Sequence, residues 1–214
     1  PANNDCSTLD YESTANRVIE TSTTGLTEKE VSGILVSTGM TVGVSSFDVT
    51  GGFIAEYQME ENAANTTVDN AEGTAARDCV SSTNTRNLSA TGKLSNGFNF
   101  VSASSEYLDC GSNSSLKFAN DMSVEVWLRN TTTSDRVAGN RSSAGNLNGW
   151  ELVISSGGFA QFLIDASTTA VENILGTTAI NDNKWHHVVG GRKGDELFLY
   201  IDSKAEGVIT GDIP

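Results

Sequence analysis

The chain has 214 residues, with 27 Asp and Glu against 13 Lys and Arg, a net charge of −14. Such a field repels phosphate backbones and anionic membrane surfaces, which excludes nucleic acid as a partner; no apolar run reaches the ~18 residues of a membrane helix, so no membrane insertion is expected. Abundant Ser, Thr, Asn and Gly with only 2 Pro suit many short strands joined by polar turns around one sizeable core.

Residues 1–50 read as an arm. The stretch "DYESTANRVIE" (10–20) is expected to be helical. A second helix is expected over "TEKEVSGILVSTG" (27–39), where Thr27 as N-cap and Glu30 three residues on form a capping box and Gly39 closes the helix. With few large apolar side chains this arm cannot hold a core of its own. It is expected to serve as a docking or assembly segment.

From residue 51 onward the pattern is all-β. "FIAEYQME" (53–60) alternates Phe53, Ala55, Tyr57 and Met59 with other residues. "MSVEVWLRN" (122–130), "WELVIS" (150–155), "FAQFLID" (159–165), "KWHHVVGG" (184–191) and "ELFLYID" (196–202) follow, bounded by Gly, Asn, Asp or Ser. Of the three cysteines, Cys6, Cys79 and Cys110, none shows zinc or redox spacing. Cys79 and Cys110 are the favoured disulfide pair because both fall in the sheet-rich region, free buried thiols being the alternative. The five Asn-x-Ser/Thr sequons are about what so Asn-, Ser- and Thr-rich a chain yields by chance. Both histidines, His186 and His187, sit on one expected strand. Neighbouring strand residues point to opposite faces, so the two cannot share a metal ion, and no other histidine or suitably spaced cysteine completes a zinc set.

Four stretches, taken in order, carry a resemblance. They are "AEYQMEENAANTTVDNAEGTAARD" (55–78), an opening strand and acidic loop; "TGKLSNGFNFVSASSEYLDCGSNSSLKF" (91–118); "MSVEVWLRN", with Trp127 in a tryptophan position; and "KWHHVVGGRKGDELFLYID" (184–202), the most specific of them. Together they resemble the laminin-G-like jelly roll of the concanavalin A-like lectin and glucanase superfamily. The resemblance implies an all-β fold, a two-sheet antiparallel jelly-roll sandwich over 51–214 behind the short helical arm. It places Trp127, Trp185, His187 and Tyr200 in the structural core. Members usually continue past the last matched strand, so a closing C-terminal strand is expected to be missing, leaving a sheet edge open to strand addition by a neighbour.

The resemblance also frames the chemistry. Glycosidases of this superfamily carry paired carboxylates on one strand, and a retaining mechanism needs the two carboxyls about 5–5.5 Å apart. The matching strand presents Glu125, Trp127 and Arg129 on one face, a single acid, and no Ser-His-Asp arrangement is present, so no enzyme is expected. Relatives often bind Ca²⁺ at a loop edge; the densest oxygen-rich loop holds Asp69, Asn70, Glu72 and Asp78, the plainer reading being solvated turn residues. For glycan stacking, Trp150 beyond the loop "NRSSAGNLNG" is the expected platform, with Asn146 and Asn148 as hydrogen-bonding neighbours. The expected function is a non-enzymatic extracellular or particle-surface recognition module, lectin-like, binding a glycan or protein partner. The alternative is a structural subunit of a large assembly, a virion decoration or tail protein or a surface filament, docking on other subunits through the arm and the open edge. Either places the chain outside the cell, on a cell surface or on a virion surface.

Overall fold

The computed structural model describes the backbone of 9–12 and 17–20, and residues 54–71, 73, 75–116, 121–141, 149–165 and 171–210. The chain divides into two compact units, Pro1–Glu56 and Tyr57–Pro214. In the first, β1 (Leu9–Glu12) and β2 (Arg17–Glu20) pair antiparallel, Leu9 opposite Glu20 and Glu12 opposite Arg17. This hairpin corrects the helix expected over 10–20. Val18 and Ile19 are β-branched, which favours extended backbone. The helix expected over 27–39 lies outside the described residues.

The second unit begins with small elements. β3 (Thr67–Val68), β4 (Cys79–Ser81) and β7 (Leu108–Asp109) form a three-stranded sheet, and β5 (Ser89–Thr91) pairs with β6 (Asn96–Phe98) as a hairpin. A disulfide joins Cys79 in β4 to Cys110 just after β7. The opening strand expected over 53–60 is not formed among the described residues 54–60. Met59 sits in the left-handed region, φ +56°, a conformation no regular strand accommodates.

Two four-stranded antiparallel sheets follow. One has the order β12-β11-β10-β9, built from β9 (Asp135–Gly139), β10 (Gly149–Ile154), β11 (Phe159–Asp165) and β12 (Val171–Ala179). The other, β15-β14-β13-β8, is built from β8 (Met122–Arg129), β13 (Trp185–Lys193), β14 (Glu196–Ile201) and β15 (Lys204–Thr210). Their facing sides supply one core. Leu152, Ile154, Ala160, Phe162 and Ile174 come from the first sheet, and Met122, Val188, Leu197, Leu199 and Ile201 from the second. The two-sheet antiparallel sandwich expected from the sequence is what the chain forms.

Gly190 and Gly191 show how tightly the layers meet. A Cβ on Gly190 would lie 2.8 Å from the Phe162 ring, so glycine is what lets the opposite sheet press a phenyl ring onto the β13 backbone. On the other side of the sheet, a Cβ on Gly191 would lie 2.4 Å from Phe198, whose ring lies over that glycine. One margin of the sandwich is clasped by Glu206 of β15. Its carboxylate accepts both the backbone N–H groups and the hydroxyls of Thr177 and Thr178 on β12, at 2.6–2.9 Å. Burial opposes ionisation of Glu206, but these bonds outweigh it and draw its pKa down to about 2.

Candidate functional site

Alternation along β8 sends Met122, Val124, Val126 and Leu128 into the sandwich and leaves Ser123, Glu125, Trp127 and Arg129 on the outer face. Register then assembles that face. On β13, Trp185 stands opposite Arg129, His187 opposite Trp127, and Val189 opposite Glu125. On β14, Tyr200 stands opposite Val189 and Phe198 opposite Gly191. The Trp127 and His187 rings stack with centroids 5.0 Å apart at 27°, and Phe198 and Tyr200 meet edge to face at 6.1 Å. Two cations lie over the indoles. The Arg129 guanidinium is 5.3 Å from the Trp185 ring centre, and Lys93, from the turn between β5 and β6, brings its ammonium 5.1 Å from that of Trp127. Glu125 Oε2 lies 3.5 Å from His187 Nε2. Trp127 remains 44% exposed and Tyr200 38%, with Val208 of β15 exposed beside them. The result is a solvent-facing strip in which aromatic rings alternate with ionised groups.

This arrangement corrects the expectation that Trp127, Trp185, His187 and Tyr200 form the structural core. All four sit on the outer face, Trp185 and His187 half-buried and the other two exposed. Strand alternation ties these residues to a common side but does not say which side is covered. That was decided by the opposing sheet, whose Phe162 needs Gly190 and Val188 beneath it.

The histidine turned inward is His186, 8% exposed. Its Nδ1 meets Asp202 Oδ2 at 2.8 Å and its Nε2 meets Asp182 Oδ1 at 3.0 Å. Asp202 sits in the two-residue turn Asp202-Ser203 between β14 and β15, both residues at positive φ, and also accepts the His187 N–H at 2.9 Å. Burial alone would lower the His186 pKa, but hydrogen bonds to Asp202 and Asp182 and their charges leave it raised above 6.5. For Asp202, burial pushes up, yet the bonds from His187 and His186 leave it below 3.8. The raised histidine contributes stability that is present below pH 6.5 and lost as pH rises through its folded value; the depressed carboxylate contributes stability lost on acidification below 3.8. The clamp is therefore strongest between those two values. In Tm measurements across pH, wild type is expected to lose more stability than His186→Gln as pH rises above 6.5; parallel curves would show that the clamp carries no charge-linked stability.

The remaining expected sites are dispersed. Trp150 is half-buried, stacked on Phe162 with centroids 6.4 Å apart and packed against the core, so it is not an exposed platform; the covered phase of β10 claims it. Asn146 and Asn148 lie outside the described residues. In the loop considered for calcium, Glu72 is likewise outside them, Asp69 is exposed, and Asn70 is buried with its N–H donating to Asp78 Oδ1 at 2.9 Å. Among the described residues no three His, Cys, Asp or Glu side chains gather closely enough to hold a metal ion. An open cleft of about 370 Å³ beside the disulfide is lined by Asp78, Asp109 and Asn113 among others. Asp109 Oδ1 there accepts the Gly111 N–H, and the Asn113 amide donates to the Ala76 carbonyl, so much of its polar lining serves the fold.

Sequence reasoning missed a buried ionic cluster on the first sheet. Glu151 and Asp165 are each 5% exposed. Arg141 reaches Asp165 Oδ2 at 3.0 Å and Glu151 Oε2 at 3.4 Å, and Arg136 pairs with Glu151 as well. Nothing in the sequence joined Glu151 to Arg141, which lies ten residues before it beyond a loop.

A family profile described as the concanavalin A-like lectin/glucanases superfamily, of laminin G type, matches residues 102–213. No curated protein compared matches the chain. Three solved structures match the chain in part. The mouse laminin alpha1 chain, domains LG4-5, is 16% identical with a TM-score of 0.37, covering 42% of this chain and 24% of its own. An S-layer domain-containing protein (residues 221–444) from Clostridium thermocellum ATCC 27405 is 20% identical with a TM-score of 0.48, covering 72% of this chain and 71% of its own. The binding domain of Paraclostridial Mosquitocidal Protein 1 is 12% identical with a TM-score of 0.51, covering 72% and 41%. This chain thus spans less than half of the laminin and mosquitocidal structures. Since the profile covers just over half of the chain and its matched strands form the two facing sheets, the protein belongs to the laminin G type of the concanavalin A-like lectin/glucanase superfamily.

Proposed function

We propose that this protein is a non-catalytic recognition module acting outside the cell or on a particle surface, and that its ligand is a glycan. One observation carries the reading. On the strand where glycosidases of the superfamily hold paired acids, β8 presents Glu125 alone, followed by Trp127 and Arg129 on the same face. One carboxylate cannot act as both nucleophile and proton donor, whereas an acid, an indole and a guanidinium in a row suit binding of a hydroxylated ring. Fold by itself does not assign function; the name of the mosquitocidal neighbour's binding domain agrees with this reading without establishing it.

The test is retention of the full chain on an array of neutral and uronate-containing oligosaccharides, with hydrolysis of each followed in parallel. Retention without hydrolysis is expected. Retention is also expected to survive EDTA, because the face described above offers no metal-ligand set; a calcium titration of the Asp69–Asp78 loop decides that loop's role separately. Turnover of any arrayed sugar, or no retention at all, overturns the reading. The second reading, a subunit of a larger assembly, draws on β8, which pairs on one side only among the described residues. Its sign would be oligomers at micromolar concentration that a proline in β8 abolishes.

A further inference from the structure

We infer that this chain forms a two-fold dimer in which the free edge of β8 pairs antiparallel with β8 of a second copy, joining two β15-β14-β13-β8 sheets into one continuous sheet. The inference rests on the assembly reading above and names its partner; it does not depend on the glycan.

The backbone of β8 gives the first reason. Met122–Arg129 pairs with β13 without a break in register, and its N–H and C=O groups directed away from β13 make no backbone hydrogen bond with any other described residue. The other outer strands are irregular. Their registers leave an unmatched residue at Val137 in β9 and at Glu206 in β15, and β12 slips between Leu175 and Ala179. Bulges of this kind blunt an exposed edge, as do prolines, lysines and inward-pointing charges. β8 has none of these devices. The core beneath it gives the second reason. Val188 on β13 and Leu197, Leu199 and Ile201 on β14 are 0–1% exposed, whereas Val124, Val126 and Leu128, inward on β8, are only partly buried. A strand laid along the edge covers them.

The charges of β8 select a second copy as that strand. Glu125 and Arg129 stand two positions either side of Trp127 on the outer face. A two-fold axis normal to the sheet through Trp127 keeps outer face with outer face and sets Glu125 opposite Arg129 of the second copy, twice, with Val126 opposite Leu128 on the inner side. Centring the axis on Glu125 would oppose like charges, and centring it on Val126 would leave both charges unpaired. Arg129 lies over the Trp185 ring and has no carboxylate partner among the described residues, so the dimer supplies its counter-ion. The net charge of −14 opposes self-association, but β8 itself is neutral, and charges farther away are screened beyond roughly 8 Å at physiological ionic strength. A foreign strand could satisfy the same backbone groups; this chain's own β8 also brings the matching charges and closes the assembly at two copies.

The experiment is sedimentation velocity on the full chain across roughly 1–200 μM at physiological ionic strength, for wild type, Glu125→Arg, Arg129→Glu and the double swap Glu125→Arg/Arg129→Glu. Both positions are exposed, and circular dichroism verifies that each variant folds. Wild type is expected to dimerise and go no further. Each single variant is expected to weaken the dimer about tenfold, because like charges then meet twice, and the double swap to return within about threefold of wild type. A chain that stays monomeric at the highest concentration overturns both this inference and the assembly reading. Oligomers that a proline in β8 abolishes but that the charge swaps leave unchanged overturn the two-fold register while leaving the assembly reading intact.

Discussion

Phe162→Ala is expected to lower stability by about 3–5 kcal/mol, the usual cost of emptying a buried phenylalanine site, and so to reduce Tm by roughly 10 °C. Phe162 is the largest fully buried side chain among the described residues, and its ring faces Gly190 on the opposite sheet. Gly190 has no side chain with which to fill the space, and rigid strands on both sides limit collapse into it. The same contact can be probed from its other half. A methyl added by Gly190→Ala would sit 2.8 Å from the ring, and overpacking of that kind costs about 1–3 kcal/mol. Combining Gly190→Ala with Phe162→Leu is expected to recover part of the loss, because the shorter side chain vacates the contested volume. Denaturant titration of the full chain measures all three. Losses below 1 kcal/mol for Phe162→Ala would mean the two sheets are not held together at this point.

Arg141→Ala is expected to cost a further large amount, about 3–5 kcal/mol, because it leaves a buried carboxylate without its counter-ion. Asp165 has its ion pair with Arg141, and Glu151 shares that guanidinium with Arg136. Removing the exposed partner, Arg136, is expected to matter less, since water can reach the vacated position. Neutralising the stranded acid should restore much of the loss, so Arg141→Ala/Asp165→Asn is predicted to be more stable than Arg141→Ala alone. A double variant no more stable than the single one would show that Arg141 acts through packing of its stem and not through its charge.

Much of the architecture was legible because strand residues announce themselves locally. "MSVEVWLRN", "FAQFLID" and "ELFLYID" alternate or run apolar between turn residues, and each became a strand of the sandwich. Less legible were β9, β12 and β15, whose charged, polar and Gly content gives weak periodicity; they are strands because neighbours complete their ladders. The helix expected over 10–20 failed for a related reason. A short segment carries both a weak helical pattern and β-branched residues, and pairing with a second segment decides between them.

The candidate site divides along the same line. The two-sheet class came from the order of the matched stretches and the resemblance they carry, while a two-residue period by itself determined the common face shared by Trp127, Glu125 and Arg129 on one strand and by Trp185 and His187 on another, and the separation of His186 from His187. Which of those faces is buried only the tertiary structure decided, because a period has no sign; that was settled by Phe162 reaching across to Gly190. Register, likewise a property of pairs of strands, put His187 beside Trp127 and carried the aromatic strip on to Tyr200. Residues that the resemblance placed in the core stand, once the sheets close, on the outer face of the sheet, Trp127 and Tyr200 exposed and Trp185 and His187 half-buried.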